Sequence, residues 1–133
     1  MSPRALQFVI ASVFFVLGGW CLIAPQSVLD LTLRPEYRPD DAIAPLLVGC
    51  FGAQACIAGT FAAFSIFTRW TFLAYGIGVL PFFVFNYWFY FVEPVFNEFI
   101  LLDALGNLIF VAMCAWGYFK LSASPRLETQ SAS

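Results

Sequence analysis

Asp103 is the residue whose type and setting most readily do chemistry. It stands inside an apolar stretch, where a carboxylate can carry a proton or cation, or act as a general acid or base. Asn107 follows at i+4, one helical turn along the same face. Asn86 lies in the preceding apolar stretch. It sits about six residues before a short connection and Asp103 about four residues after it, so at about 1.5 Å per residue their depths agree within about one turn. Gln54, in the middle of an earlier stretch, can approach from below. Asn86, Asp103, Asn107 and Gln54 are therefore expected to form a ligand site, with Asp103 the candidate catalytic residue. The competing reading is structural: side-chain amides and a carboxylate can hydrogen-bond between helices and set their register, typically for about 0.6 kcal/mol each.

Other chemistries are poorly served. The chain has no His, which removes the commonest general base, the commonest metal ligand and any Ser/His/Asp set. Cys50 and Cys56 stand six apart, neither a redox pair nor a metal-ligand spacing. With Cys21 and Cys114 they read as small buried hydrophobes. No Gly-rich phosphate loop follows a strand, and no metal or cofactor is expected. Six Lys and Arg against eight Asp and Glu leave no basic field for nucleic acid.

The elements that must position these residues follow from composition. Of 133 residues, 62% are apolar and 11% charged, against about 25% charged in a soluble domain. A water-facing globule is excluded, and a small membrane protein remains. Four stretches reach the roughly 20 residues that cross a bilayer core: about 6–24, 43–67, 71–92 and 99–119. Only the last holds a charge, Asp103. Without apolar–polar alternation a barrel is excluded, and backbone pairing in lipid then requires helices. The expected fold is an all-α membrane protein, one domain over 1–121. It is a four-transmembrane-helix bundle with a short interfacial helix after helix one, followed by a disordered cytoplasmic tail over 122–133. The first stretch is long for a signal peptide, and Pro25 directly after Ala24 disfavours cleavage; it is read as a retained helix.

Arg4, Arg69, Lys120 and Arg126 fall on one side of this topology, Arg34 and Arg38 on the other. The positive-inside rule then places both termini in the cytoplasm. Thr68-Arg69-Trp70 is too short a turn for anything but antiparallel neighbours on either side, and the 93–98 connection implies the same for helices three and four. Between Pro25 and Asp41, Ser27 and Asp30 have the spacing of a capping box. The helix they would open carries Val28, Leu29, Leu31 and Leu33, and is expected in the interface plane.

Helix two carries Gly52, Ala55, Gly59 and Ala62 as a small-residue stripe, and Gly49 with Ala53 as a further small pair. Such faces admit close backbone approach, either within the chain or to a partner subunit. Pro81 should kink helix three. The aromatic run from Phe82 to Phe91, with Trp20, fits one interfacial belt, and Trp70, Trp116 and Tyr118 fit the other; a pocket for a planar apolar ligand is the alternative. A first helix ending in Ala24-Pro25 and a Gly-rich second helix give a layout similar to that of several four-helix membrane families, DoxX-like ones among them, but carry over no residue.

Three functions compete. The first expectation is an accessory or scaffold subunit for a larger membrane partner, or a homo-oligomer. The second is a binder or carrier of a small hydrophobic or protonatable ligand at the Asp/Asn cluster. The third is a membrane-embedded isomerase or hydratase with Asp103 as acid and base.

Overall fold

In the computed structural model, residues 2–123 are described. Within them the fold is all-helical: α1 (Pro3–Ile23), α2 (Pro25–Thr32), α3 (Ile43–Phe64), α4 (Arg69–Tyr87) and α5 (Ile100–Ala123). A 3₁₀ turn at Pro35–Tyr37 and a π turn at Trp88–Val92 complete the element order. Of the tail expected over 122–133, Ser122 and Ala123 end α5, and 124–133 lie outside the described residues. Four helices are long and apolar enough to cross a membrane, and only 11% to 33% of each one's most apolar window is buried within the chain. The remaining face is apolar as well: Ile23, Phe64, Ile66, Val84 and Phe119 all lie exposed.

Local chemistry sets each helix end. Ser2 caps α1, its Oγ accepting from the Ala5 N–H at 3.2 Å, with Pro3 in the first helical position. Pro25, whose fixed φ suits a helix start, opens α2 two residues before the expected cap. The expected Ser27–Asp30 capping box is therefore absent. Ser27 Oγ instead donates to the Ala24 carbonyl at 2.8 Å and accepts from Trp20 Nε1 at 2.7 Å. Thr68 and Thr71 form a capping box at the start of α4. Pro81 lies inside α4 without ending it. The helix ends only where it widens into the π turn, in which the Glu93 N–H reaches the Trp88 carbonyl at 2.8 Å.

The helices pack as two close pairs, α1 with α3 and α4 with α5. The turn between α3 and α4 does make them neighbours in sequence, but their tight packing goes elsewhere. They meet through long side chains, Tyr75 donating to the Ala58 carbonyl at 3.3 Å and Phe51 lying 6.5 Å from Phe82. Aromatic rings join the pairs: Phe14 of α1 stands edge-on to Tyr75 and to Phe110, both at 5.8 Å.

Glycine decides the α1–α3 distance. A Cβ on Gly52 would run into the backbone of Gly18, Cys21 and Leu22, and one on Gly18 would lie 2.8 Å from Ala55 Cβ. A Cβ on Gly59 would lie 3.0 Å from Phe14 Cβ, and Ala62 is fully buried. The stripe Gly52, Ala55, Gly59, Ala62 thus faces α1 inside the chain. Gly49, by contrast, has nothing within 4 Å of its would-be Cβ. Gly52→Ala should force two backbones apart and lower stability by about 1–3 kcal/mol. Gly49→Ala should cost nothing or stabilise slightly, since alanine is the better helix former. Thermal unfolding of the two variants in one detergent measures the difference.

Candidate functional site

One end of the molecule carries the connection between α1 and α3 and the one between α4 and α5; it is called the loop end. The two connections are tied together. Leu33 and Phe96 form an isolated antiparallel bridge. The Arg34 N–H donates to the Val95 carbonyl at 3.0 Å, and Arg34 Nε donates to the Phe96 carbonyl at 3.0 Å. Asn97 does three jobs. Its N–H donates to the Thr32 carbonyl at 2.9 Å, its Nδ2 donates to the Leu31 carbonyl at 2.7 Å, and its Oδ1 accepts from the Phe99 N–H at 2.9 Å. This fastening sets the height at which α5 starts relative to the rest of the loop end.

From that start, α4 and α5 run antiparallel along one seam. Phe72 packs on Gly117, where a Cβ would sit 2.7 Å from the ring, and Gly76 faces Cys114. Val79 and Phe110 belong to the same core. Two turns further towards the loop end the register brings Asn86 opposite Asp103. Here the seam changes from apolar to polar. Asn86 Nδ2 donates to Asp103 Oδ2 at 2.9 Å, and Asn107 Nδ2 donates to the same oxygen at 2.8 Å. Asn86 is 8% exposed and Asn107 half-buried, whereas Asp103 is exposed. Asp103 Oδ1 has no hydrogen-bond partner among the described residues.

Three of the four expected site residues therefore meet. Gln54 does not join them. It is exposed at the midpoint of α3 and makes no hydrogen bond among the described residues. Its distance from the loop end separates it: the Phe51–Phe82 contact already lies below the level of Asn86, and Gln54 is almost another turn deeper. The expectation that all four cysteines are buried also needs correcting, since Cys50 is exposed while Cys114 is buried.

A second polar contact escaped the sequence reading. Gln7 of α1 is 2% exposed. Its Nε2 donates to the carbonyls of Ala62 at 2.6 Å and Ser65 at 2.7 Å, and its Oε1 accepts from Arg4 Nη1 at 3.3 Å. The last carbonyls of a helix lack intrahelical donors, so Gln7 serves the C-terminus of α3. The signal was present as the one carboxamide in the first apolar stretch, but the carbonyls it serves belong to another helix.

Comparison with known protein families, curated proteins and solved structures finds no match for this chain. The site is accordingly read on its own geometry.

Two measurements follow. Gln7→Leu leaves the Ala62 carbonyl without its side-chain donor and the Ser65 carbonyl with Arg4 Nη1 alone, at 3.1 Å, and should cost about 1–3 kcal/mol of stability, read as a lower thermal midpoint. A double-mutant cycle on Asn86→Ala and Asp103→Ala should give a coupling of about 0.6–2 kcal/mol. A coupling indistinguishable from zero would mean that their contact does not hold the seam.

Proposed function

We propose that this chain is an integral multi-pass membrane protein that binds a small amphipathic molecule at Asp103, through a cationic or hydrogen-bond-donating group on that molecule. The observation that carries the reading is the division of labour within one carboxylate. Oδ2 takes both amide donors, from Asn86 and Asn107, while Oδ1 has no partner on a residue that is exposed. Two amides on one oxygen fix the carboxylate plane, and an acceptor lone pair is left for a ligand. Few acceptors at this depth in a bilayer are open to donors, so a ligand with a cationic or N–H group gains where a purely apolar one does not.

Membrane embedding is supported by four helices of spanning length and by the apolar residues they expose. The excess of Arg4, Arg69, Lys120 and Arg126 over Arg34 and Arg38 supports cytoplasmic termini. The site then lies in the leaflet away from the cytoplasm. Helix α2 is proposed to lie in that interface, since it buries Leu29 and leaves Gln26, Ser27 and Asp30 exposed.

The two competing readings draw less support. The small-residue stripe that suggested a docking face for a larger partner is spent on α1. An isomerase or hydratase with Asp103 as acid and base also needs donors for the charge that develops on its substrate, and both carboxamides beside Asp103 already donate to it.

Asp103→Asn keeps the side-chain shape and one acceptor oxygen for the two amides, so the seam should persist. Native mass spectrometry of the full chain, released from its own membrane in mild detergent, should find a small molecule bound to the wild type. The same measurement on Asp103→Asn should show at least a tenfold loss of that species, with an unchanged melting curve. Retention of the molecule by Asp103→Asn, or a wild type that carries nothing, would sink the proposal.

A further inference from the structure

Helix α3 has two faces of use. One is spent on α1. On another face, Leu46, Cys50, Gln54 and Ile57 follow at helical spacings and all are exposed. Gln54 stands at the midpoint of the helix's 22 residues, about 16 Å from either end. In the membrane-spanning reading, on which this inference rests, that is the centre of the hydrocarbon. There neither lipid nor water satisfies the two N–H donors and the carbonyl of a carboxamide, and no described residue of the chain does so. Beside it lies a shallow apolar recess lined by Leu46, Gly49, Cys50 and Ala53, with Leu22 and Pro25 along its edge. Gly49, with nothing within 4 Å of its would-be Cβ, keeps that recess open.

We propose that this face of α3 is the interface with a second copy of the chain, closed by a reciprocal Gln54–Gln54 hydrogen bond. Two copies share one orientation in the bilayer, so a two-fold axis along the membrane normal sets their α3 helices parallel. Gln54 of each copy then arrives at the same depth as the other. A carboxamide both donates and accepts, so it is complementary to itself across that axis, as a two-fold interface requires. A different partner would need its own polar group at this depth; a second copy supplies it by symmetry. The recess beside Gln54 takes the apolar side chains that flank the partner's carboxamide. The arrangement is independent of Asp103, which lies on the α4–α5 seam.

The parallel geometry places Cys50, one turn from Gln54, opposite its own copy, and a disulfide forms only when the Cα atoms come within about 4.4–6.8 Å. Oxidation of native membranes with copper phenanthroline should therefore yield a species of twice the chain mass. Cys50→Ala should abolish it, and Cys21→Ala or Cys56→Ala should leave it. Gln54 is exposed and makes no hydrogen bond among the described residues, so Gln54→Leu should leave the helical content of the chain and the Asp103 ligand unchanged. It should lower the dimer fraction at least fivefold when the labelled protein is diluted in lipid vesicles and counted by single-molecule photobleaching. Gln54→Asn should keep a larger dimer fraction than Gln54→Leu. Four results overturn the proposal: an unchanged dimer fraction in Gln54→Leu, a cross-link that survives Cys50→Ala, a Cys50 adduct of any other mass, or monomers alone. Asp103→Asn should dimerise like the wild type, so loss of the ligand and loss of the dimer are separate outcomes.

Discussion

The close approach of α1 and α3 at Gly18 and Gly52 is the constraint on which the remaining contacts depend. In lipid, burying a leucine gains little over leaving it exposed, because the tails are as apolar as the side chain. What holds helices together is close packing and polar pairing. A Cβ at Gly52 would collide with the backbone of Gly18, Cys21 and Leu22, so the two helices touch main chain to main chain. That contact brings Gln7 within reach of the Ala62 and Ser65 carbonyls. The same approach fixes where α3 ends and hence where the turn into α4 begins. Phe14, held on α1, then meets Tyr75 and Phe110 and joins the second helix pair to the first.

The second pair uses a different device. The α4–α5 seam is apolar over Phe72, Gly117, Val79 and Phe110 and polar at Asn86 and Asp103. Apolar contacts in lipid slide at little cost, whereas a hydrogen bond to a carboxylate defines one register. In the proposed function one cluster serves two purposes. Asn86 secures the seam through Oδ2, Asn107 holds the same oxygen from within α5, and the other oxygen of that carboxylate has no partner among the described residues. The structural and functional readings of Asp103 are in this sense not rivals, since a site built on a register-setting contact is held rigid by it.

The polar residues divide by how local their partners are. Asn107 and Asp103 are a turn apart on one helix, and Asn86 is brought to them by a short connection, so their meeting was legible from spacing alone. Gln54 was expected to reach the cluster from below, but it stands about two turns deeper than Asn86, beyond the reach of its side chain. Ser27 was misread because Pro25 competed for the helix start and prevailed. Gln7 and Asn97 act on carbonyls far away in sequence, those of Ala62 and Leu31, and nothing local announces such a partner.

Composition and run length by themselves determined that the chain is helical, that four helices have spanning length, and that charge gathers at the connections. These are properties of single segments, set by the thickness of hydrocarbon and by the cost of an unpaired backbone group. The tertiary structure alone decided the pairing. The turn at 68–70 joins α3 to α4, yet α3 packs on α1, because glycine faces glycine there and bulky rings separate α3 from α4. It alone decided, too, that the small-residue stripe of α3 is covered while Gln54 is not. A stripe of small residues shows that a backbone can come near, but which backbone does so depends on the shapes of all the helices together.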